Sequence, residues 1–250
     1  RGYPATLNLG MAGDGPLLML ATLKEYLPRL APKIVLWFYY EGNDLTDLQT
    51  ERKSSVLMGY LKDDFSQGLL ARQSDVDQAI TNEIGRQEVI ERANEARREE
   101  NSGRVGDVLE FVKLSNLRAK LHLVYGTGPQ ESETLADLEG PNTDLFREIL
   151  SQAKKRVDTW GGQLYFVYLP EWARYSDYNS WGKGERNRVL TMVESLGIPI
   201  VDIDPAFRAT GDPLSLFPFR GLGHYNETGH RLVAEEVLRS LPSSNRAGLN

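Results

Sequence analysis

The sequence predicts an α/β fold: a three-layer α/β/α sandwich around a parallel sheet, with a helical insertion. Three observations predict it. The first is Ile34–Tyr40, IVLWFYY, seven apolar residues in a row. A run of this length, rich in β-branched and aromatic side chains, is the pattern of a strand buried on both faces, as in a parallel sheet. The second is that the pattern recurs at Leu164–Leu169, LYFVYL, and at Ile198–Ile203, IPIVDI. The third is that helical periodicity alternates with these runs, as strand–helix–strand crossovers require.

The elements follow in order. Ala5–Gly10, ATLNLG, reads as a short strand, and Met11-Ala12-Gly13-Asp14-Gly15 as a Gly-rich turn. Pro16 suits the first position of a helix, with Asp14 or Gly15 as its cap. Leu17, Leu20, Leu23 and Leu27 recur at helical spacing, and Pro28 ends the run. The Ile34–Tyr40 strand comes next and leads into Glu41-Gly42-Asn43-Asp44.

From about Leu45 to Pro141 strand signals nearly vanish. Val56–Leu61, Phe65–Leu70, Val76–Ala96 and Val108–Leu121 read as helices. Val108, Phe111, Val112, Leu114, Leu117 and Leu121 form an apolar stripe. Glu91–Glu100 is dense in charges of both signs, the pattern of a solvated helix face. Tyr125–Asn142, rich in Gly, Pro and acidic residues, reads as loop. The segment 45–141 is expected to be a helical insertion at the ligand edge of the sheet. A lid is its functional reading; a structural elaboration is the other.

The sheet pattern then resumes, so the core is expected to comprise residues 1–44 and 142–242. Leu145, Phe146, Ile149, Leu150, Ala153 and Val157 mark an amphipathic helix closed by Gly161-Gly162. The strand Leu164–Leu169 ends at Pro170. Glu171–Gly184 reads as a loop carrying Trp172, Tyr175, Tyr178 and Trp181. Such aromatics can stack on sugars or acyl chains, or pack the loop onto the body. Val189, Met192, Val193 and Leu196 mark a helix stopped by Gly197. After Ile198–Ile203 a long loop leads to Gly223-His224-Tyr225-Asn226. Asn226 is the expected N-cap of a last helix, Glu227–Leu241, and Ser243–Asn250 is a flexible tail.

Composition narrows the function classes. The 250 residues suit one α/β domain with an insertion. A net charge of −6 and a pI near 5.3 argue against nucleic-acid binding, which needs a basic face. No apolar run approaches the roughly 18 residues of a membrane-spanning helix. Without cysteine there is no disulfide, thiolate catalysis or Cys-ligated metal. The lack of cysteine fits a periplasmic, extracellular or cell-envelope protein. No cofactor is expected. Nor is a metal, because His224 and His230 lack carboxylates at ligand spacing.

In open α/β sheets ligands bind beyond the C-terminal ends of the strands. The Gly13 turn follows one strand, Asn43 follows the next, and His224 precedes the last helix. All three are expected at that edge. A base, a backbone N–H and an Asn amide together suit acyl transfer, in which a tetrahedral oxyanion needs donors. A histidine before a helix can also simply pack or cap, and Gly-Asn-Asp after a strand can be only a turn.

Three blocks in this order resemble the SGNH/GDSL hydrolase family. Asn8-Leu9-Gly10-Met11-Ala12-Gly13-Asp14-Gly15 is similar to the family's second block, whose glycine lends an oxyanion-hole N–H; the matching residue is Gly13. Gly42-Asn43-Asp44 is similar to the third, whose Asn supplies the side-chain donor. Gly223-His224-Tyr225-Asn226, with Gly229-His230 after it, is similar to the last, whose His is the general base. The resemblance implies a flavodoxin-like strand order, 2-1-3-4-5, and hydrolysis or transfer of ester or O-acetyl groups, often on carbohydrate.

Two departures bear on the chemistry. The family's Gly-Asp-Ser nucleophile block precedes the second block, and no serine stands before Asn8 here. The chain starts at Arg1, so a processed product or a fragment is expected, with the serine and the central first strand upstream. The family's Asp before the His is also absent: Leu222, Gly221 and Arg220 occupy those positions. The acid is then missing or comes from elsewhere, with Asp202 and Asp204 as candidates. Two other readings stand beside the enzyme. One is a degenerate member that binds glycan or a partner. The other is a flavodoxin-like module holding phosphate or nucleotide at the Gly13 turn.

Overall fold

The structure is a computed structural model that describes residues 6–101, 141–176 and 183–242. The chain divides into two compact units, Arg1–Gln67 with Leu138–Asn250, and Gly68–Asp137.

The first unit is an α/β structure built on a small parallel sheet. Among its described residues three strands pair: β1 (Ile34–Tyr40), β2 (Gln163–Leu169) and β3 (Ile200–Asp202), in the order β1-β2-β3. β1 and β2 run parallel over seven residues in one register, from Ile34 opposite Gln163 to Tyr40 opposite Leu169. The shared register puts side chains in rows. Val35, Trp37 and Tyr39 line up with Leu164, Phe166 and Tyr168 on one face.

Helices α1 (Pro16–Leu30), α5 (Pro141–Asp158) and α6 (Lys183–Ser195) cover that face; α4 lies in the second unit. Leu17, Leu20, Phe146, Ile149, Leu150, Ala153 and Val193 are fully buried there. Tyr39 stacks between Phe146 and Phe166 at ring-centroid distances of 5.4 and 5.5 Å. The opposite face carries Tyr165, Val167, Val201 and Ile203. It packs on α7 (Asp204–Ala209) and α8 (Glu227–Ser240) through Phe207, Val233 and Val237. Helices on both faces give a three-layer arrangement, as the apolar runs predict.

Cover on the second face thins toward β1. Ile34 and Leu36 are half-buried there, and Phe38 is 40% exposed. The edge of β1 away from β2 pairs with nothing among the described residues. Residues 6–10 of the expected first strand are irregular and mostly exposed, which corrects the strand reading there. Local hydrogen bonds account for this. Asn8 Oδ1 accepts from Gly10 N and Asp14 Oδ2 from Met11 N, bonds that compete with a ladder.

The expected insertion is divided between the units. α2 (Asp44–Glu51) and α3 (Ser55–Gly59) belong to the first. They are tied to α1 by buried polar bonds: Lys24 Nζ donates to the carbonyls of Tyr60 and Lys62, and Tyr60 OH donates to Glu25. Phe65–Leu70 is not a helix. Residues 65–68 are irregular and a 3-10 turn, Leu69–Arg72, follows Gly68, which sits at φ +65. In the second unit α4 (Gln73–Asn101) extends the predicted helix at both ends. Its described side chains are almost all exposed, and Arg86–Glu83 and Arg92–Glu88 pair along its surface. The Val108–Leu121 stripe, most of the Tyr125–Asn142 loop, Tyr178, Trp181 and the Ser243–Asn250 tail lie outside the described residues.

The long loop before His224 also differs from the expectation. It holds α7 and two 3-10 turns, Pro213–Leu216 and Pro218–Arg220. Phe207, Leu216 and Phe217 give these short elements apolar anchors that a periodicity reading passes over. The last helix ends at Ser240, and Asn226 caps it as expected: its side chain accepts from Gly229 N at 3.0 Å. Among the described residues no helix is long and apolar enough to cross a membrane.

Candidate functional site

The C-terminal edge of the sheet is built around Glu41, the first residue past β1. Its N–H donates to Leu169 O, continuing the β1–β2 ladder by one bond. Its carboxylate pairs with Arg174, and both side chains are almost wholly buried, at 2% and 3% exposure. Oε2 accepts from Arg174 Nε at 2.8 Å and from Glu171 N at 3.2 Å. Arg174 also donates to Tyr168 OH. A charge this deep persists only when it is paired and hydrogen-bonded, and both conditions are met.

The next residues take their places from this anchor. Gly42 is tightly enclosed: a Cβ there would lie 2.5 Å from the Tyr40 ring and 3.2 Å from Glu171 Oε2. Asn43 is exposed and stands at the N-cap position of α2. One of its two amide N–H donors goes to Asp47 Oδ2 at 2.9 Å, which leaves the other. Asp44 is buried and accepts from Tyr40 N at 3.1 Å, closing the turn against the strand. Burial holds its carboxyl well above the usual range, against the opposing effect of that bond.

The Gly13 turn meets this segment through α2. Gly13 is exposed at φ +85. Asp14 N closes the turn on Met11 O at 3.3 Å. Two residues on, the start of α1 is held by Glu51. Its Oε1 accepts from Gly15 N at 2.8 Å and its Oε2 from Leu17 N at 2.8 Å. The contact needs glycine at 15, where a Cβ would stand 2.7 Å from Glu51 Cδ and 2.8 Å from Asp47 Cβ. Helix N-termini attract anions, and here the protein's own carboxylate occupies that position. The phosphate-binding reading of the turn loses its donors to Glu51.

His224 is also exposed and lies at the same edge, its ring centroid 5.9 Å from that of Tyr40. Tyr225 fixes its backbone: it is buried against Phe207 and Phe217, and its OH donates to Pro170 O at 2.5 Å. Asn226 adds bonds from its N to Leu216 O and from Nδ2 to Ser215 O. Among the described residues no carboxylate is hydrogen-bonded to His224. Asp202 pairs with Arg186, and Asp204 is engaged by Tyr175 OH at 2.8 Å and by Arg208. Neither candidate acid serves the histidine here. His230, a turn further on, lies edge-on to Tyr225.

Of the loop aromatics within the described residues, both pack the loop onto the body. Tyr175 lies against Phe207 and Phe217, and Trp172 Nε1 donates to Arg220 O at 2.9 Å. Phe219 and Arg220 adopt left-handed φ values of 52 and 57, held by the Arg220–Asp212 pair and this tryptophan.

The residues missed from the sequence are Glu41, Arg174, Asp47, Glu51 and Glu185. Glu41 was visible as the polar end of an apolar run. Asn43, Asp47 and Glu51, four apart, were legible as one helix face. Arg174 carried no local signal. Glu185 lines a small cleft with Leu45, Thr143, Phe146, Arg188 and Val189. Burial, then the charges of Glu41 and Glu171, push its carboxyl up to about 7. Glu171 is raised as well, by burial and then by Glu41. No group of three His, Asp or Glu among the described residues could hold a metal ion.

No protein-family model matches this chain, and neither a curated protein nor a solved structure matches it.

Two predictions follow from the charges. Arg174→Met leaves Glu41 buried without a cation and should cost about 3–5 kcal/mol, read as a lower urea midpoint. The double variant with Glu41→Gln should recover most of the loss; a single-variant loss under about 1 kcal/mol contradicts the pairing. The second concerns pH. The Glu185 carboxyl keeps its proton to about 7 in the folded protein, against the ordinary 4.5 when unfolded. Its contribution to stability is therefore full below about pH 4.5 and lost as pH rises through about 7. Glu185→Gln should flatten the fall of the urea midpoint across that window. An unchanged slope contradicts the assignment.

Proposed function

We propose that this chain carries most of an acyl-transfer site of the SGNH/GDSL hydrolase type, acting on ester or O-acetyl groups. The observation that carries the reading is the arrangement of three exposed groups. The Gly13 turn and Asn43 are joined through α2, and His224 stands beside Tyr40 at the same sheet edge. The outer edge of β1 pairs with nothing among the described residues, and a nucleophile-bearing strand would pair there.

On this reading a serine from a segment preceding Asn8 attacks the acyl carbon. His224 takes the serine proton and later hands it to the leaving alcohol. The Gly13 N–H and the free N–H of Asn43 hold the oxyanion, each worth about 3–4 kcal/mol in the transition state. With no carboxylate on His224 among the described residues, the pair works as a Ser–His dyad unless an acid comes from elsewhere. The substrate class is an O-acylated carbohydrate of the cell envelope, which implies an extracytoplasmic setting. The second reading is a catalytically silent relative that binds glycan or a partner. What favours it is that Asp202 and Asp204 are committed to arginines and Tyr175, not to His224.

The test uses the full-length gene product that carries this chain. With p-nitrophenyl acetate as probe, Asn43→Ala should lower kcat by roughly 10²–10³ without loss of fold. His224→Ala should cost at least as much, because the base is gone. Turnover within threefold of wild type in both variants refutes the enzyme. A folded wild type that hydrolyses nothing points to the binding reading.

A further inference from the structure

Asn43, Asp47 and Glu51 stand at four-residue intervals, so they project from one face of α2. That face points at the Gly13 turn and at the start of α1. Asp47 accepts the Asn43 amide at 2.9 Å, fixing the rotation of that side chain about its terminal bond. Glu51 takes Gly15 N and Leu17 N at 2.8 Å each, and Leu18 N at 3.4 Å. The Glu51 carboxylate and the Asp47 Cβ are packed against Gly15 so closely that no side chain fits there. Met11 to Asp14 is closed on itself by two further bonds, so the clamp at Gly15 is carried back to Gly13.

We propose that Glu51 and Asp47 are positioning residues for the acyl-transfer site, holding the Gly13 and Asn43 donors at one fixed separation. The proposal rests on the function proposed above. It adds that the two donors share a single support, α2, rather than two independent loops. Asn43 belongs to the helix as its N-cap, and the Gly13 turn is bound to the same helix by the carboxylate eight residues later. An oxyanion bound by two groups needs their spacing more than it needs either alone, and misplacement by about 1 Å can cost 10²-fold in rate. A carboxylate suits the task because it accepts several N–H donors at once and complements the α1 N-terminus. Neither residue touches substrate. Both act through the groups they hold.

The distinguishing readout is the split between kcat and KM, measured with p-nitrophenyl acetate on the gene product carrying this chain. Glu51→Gln keeps the volume and one acceptor but opposes an N–H to at least one backbone donor. It should lower kcat about 10- to 100-fold while KM stays within about twofold, because only transition-state contacts are disturbed. Asp47→Ala, on the rim and outside the α1 cap, provides a second variant should Glu51→Gln fail to fold. It frees the Asn43 amide and should show the same split. A kcat within twofold of wild type in a folded Glu51→Gln or Asp47→Ala protein overturns the proposal and leaves these residues as caps alone. If wild type turns over no ester, the acyl-transfer reading fails and this proposal falls with it, an outcome distinct from an active wild type with indifferent variants.

Discussion

The buried pair of Glu41 and Arg174 is the interaction on which the site edge depends. It joins the residue that leaves β1 to the loop that leaves β2, and it does so out of water. Two backbone directions and one side chain are set there: Glu41 N toward Leu169, Glu171 N toward the carboxylate, and the Arg174 guanidinium toward Tyr168. The chain then turns through Gly42, where the Tyr40 ring leaves no room for a side chain. Asn43 emerges at a defined place as a result. His224 arrives from the other side on a similar principle, with Tyr225 bonded to Pro170, the residue after β2. Both polar groups thus hang from the ends of paired strands, the most rigid part of an α/β sheet.

The electrostatics of the edge follow from the same burial. Glu41, Asp44, Glu51, Glu171 and Glu185 belong to this region, and Arg174 pairs directly with Glu41. The remaining carboxyls are raised by desolvation and by each other, and Tyr40 is pushed up to about 12 by burial and then by Glu171, Glu41 and Asp44. Like charges in a poorly solvated region resist ionisation. Such a field favours neutral or cationic groups in the cleft over anionic ones. That preference fits the neutral acyl ester of the proposed function.

Much of this was legible in the sequence, for reasons that differ by residue. The strands Ile34–Tyr40 and Leu164–Leu169 were plain because both faces are buried, and apolar runs record that directly. Asn226 announced the last helix because capping is a local property. The expected strand Ala5–Gly10, irregular over residues 6–10, shows the limit. Alternation of apolar residues marks what can pair, but pairing needs a neighbour, and Asn8 and Asp14 offer the backbone a local alternative. The Glu41–Arg174 pair was hidden for the opposite reason: its partners are 133 residues apart and no periodicity connects them. Glu51 lies between these cases. Its spacing from Asn43 shows the face it shares, but only the fold reveals what that face meets. The expectation that Gly13, Asn43 and His224 share one edge rests on topology: Gly13 precedes α1, Asn43 follows β1 and His224 precedes α8.

On the proposed reading this edge serves acyl transfer, and the side of β1 that pairs with nothing among the described residues receives the strand that brings the nucleophile. Fluorophosphonates phosphorylate serines activated by a base and an oxyanion hole, and leave ordinary serines alone. The most direct measurement is intact-mass and peptide mapping of the gene product carrying this chain after exposure to such a reagent. The account predicts one stoichiometric adduct on a serine preceding Asn8. A folded protein that takes up no reagent, or is labelled at a serine remote from His224 and Asn43, contradicts it.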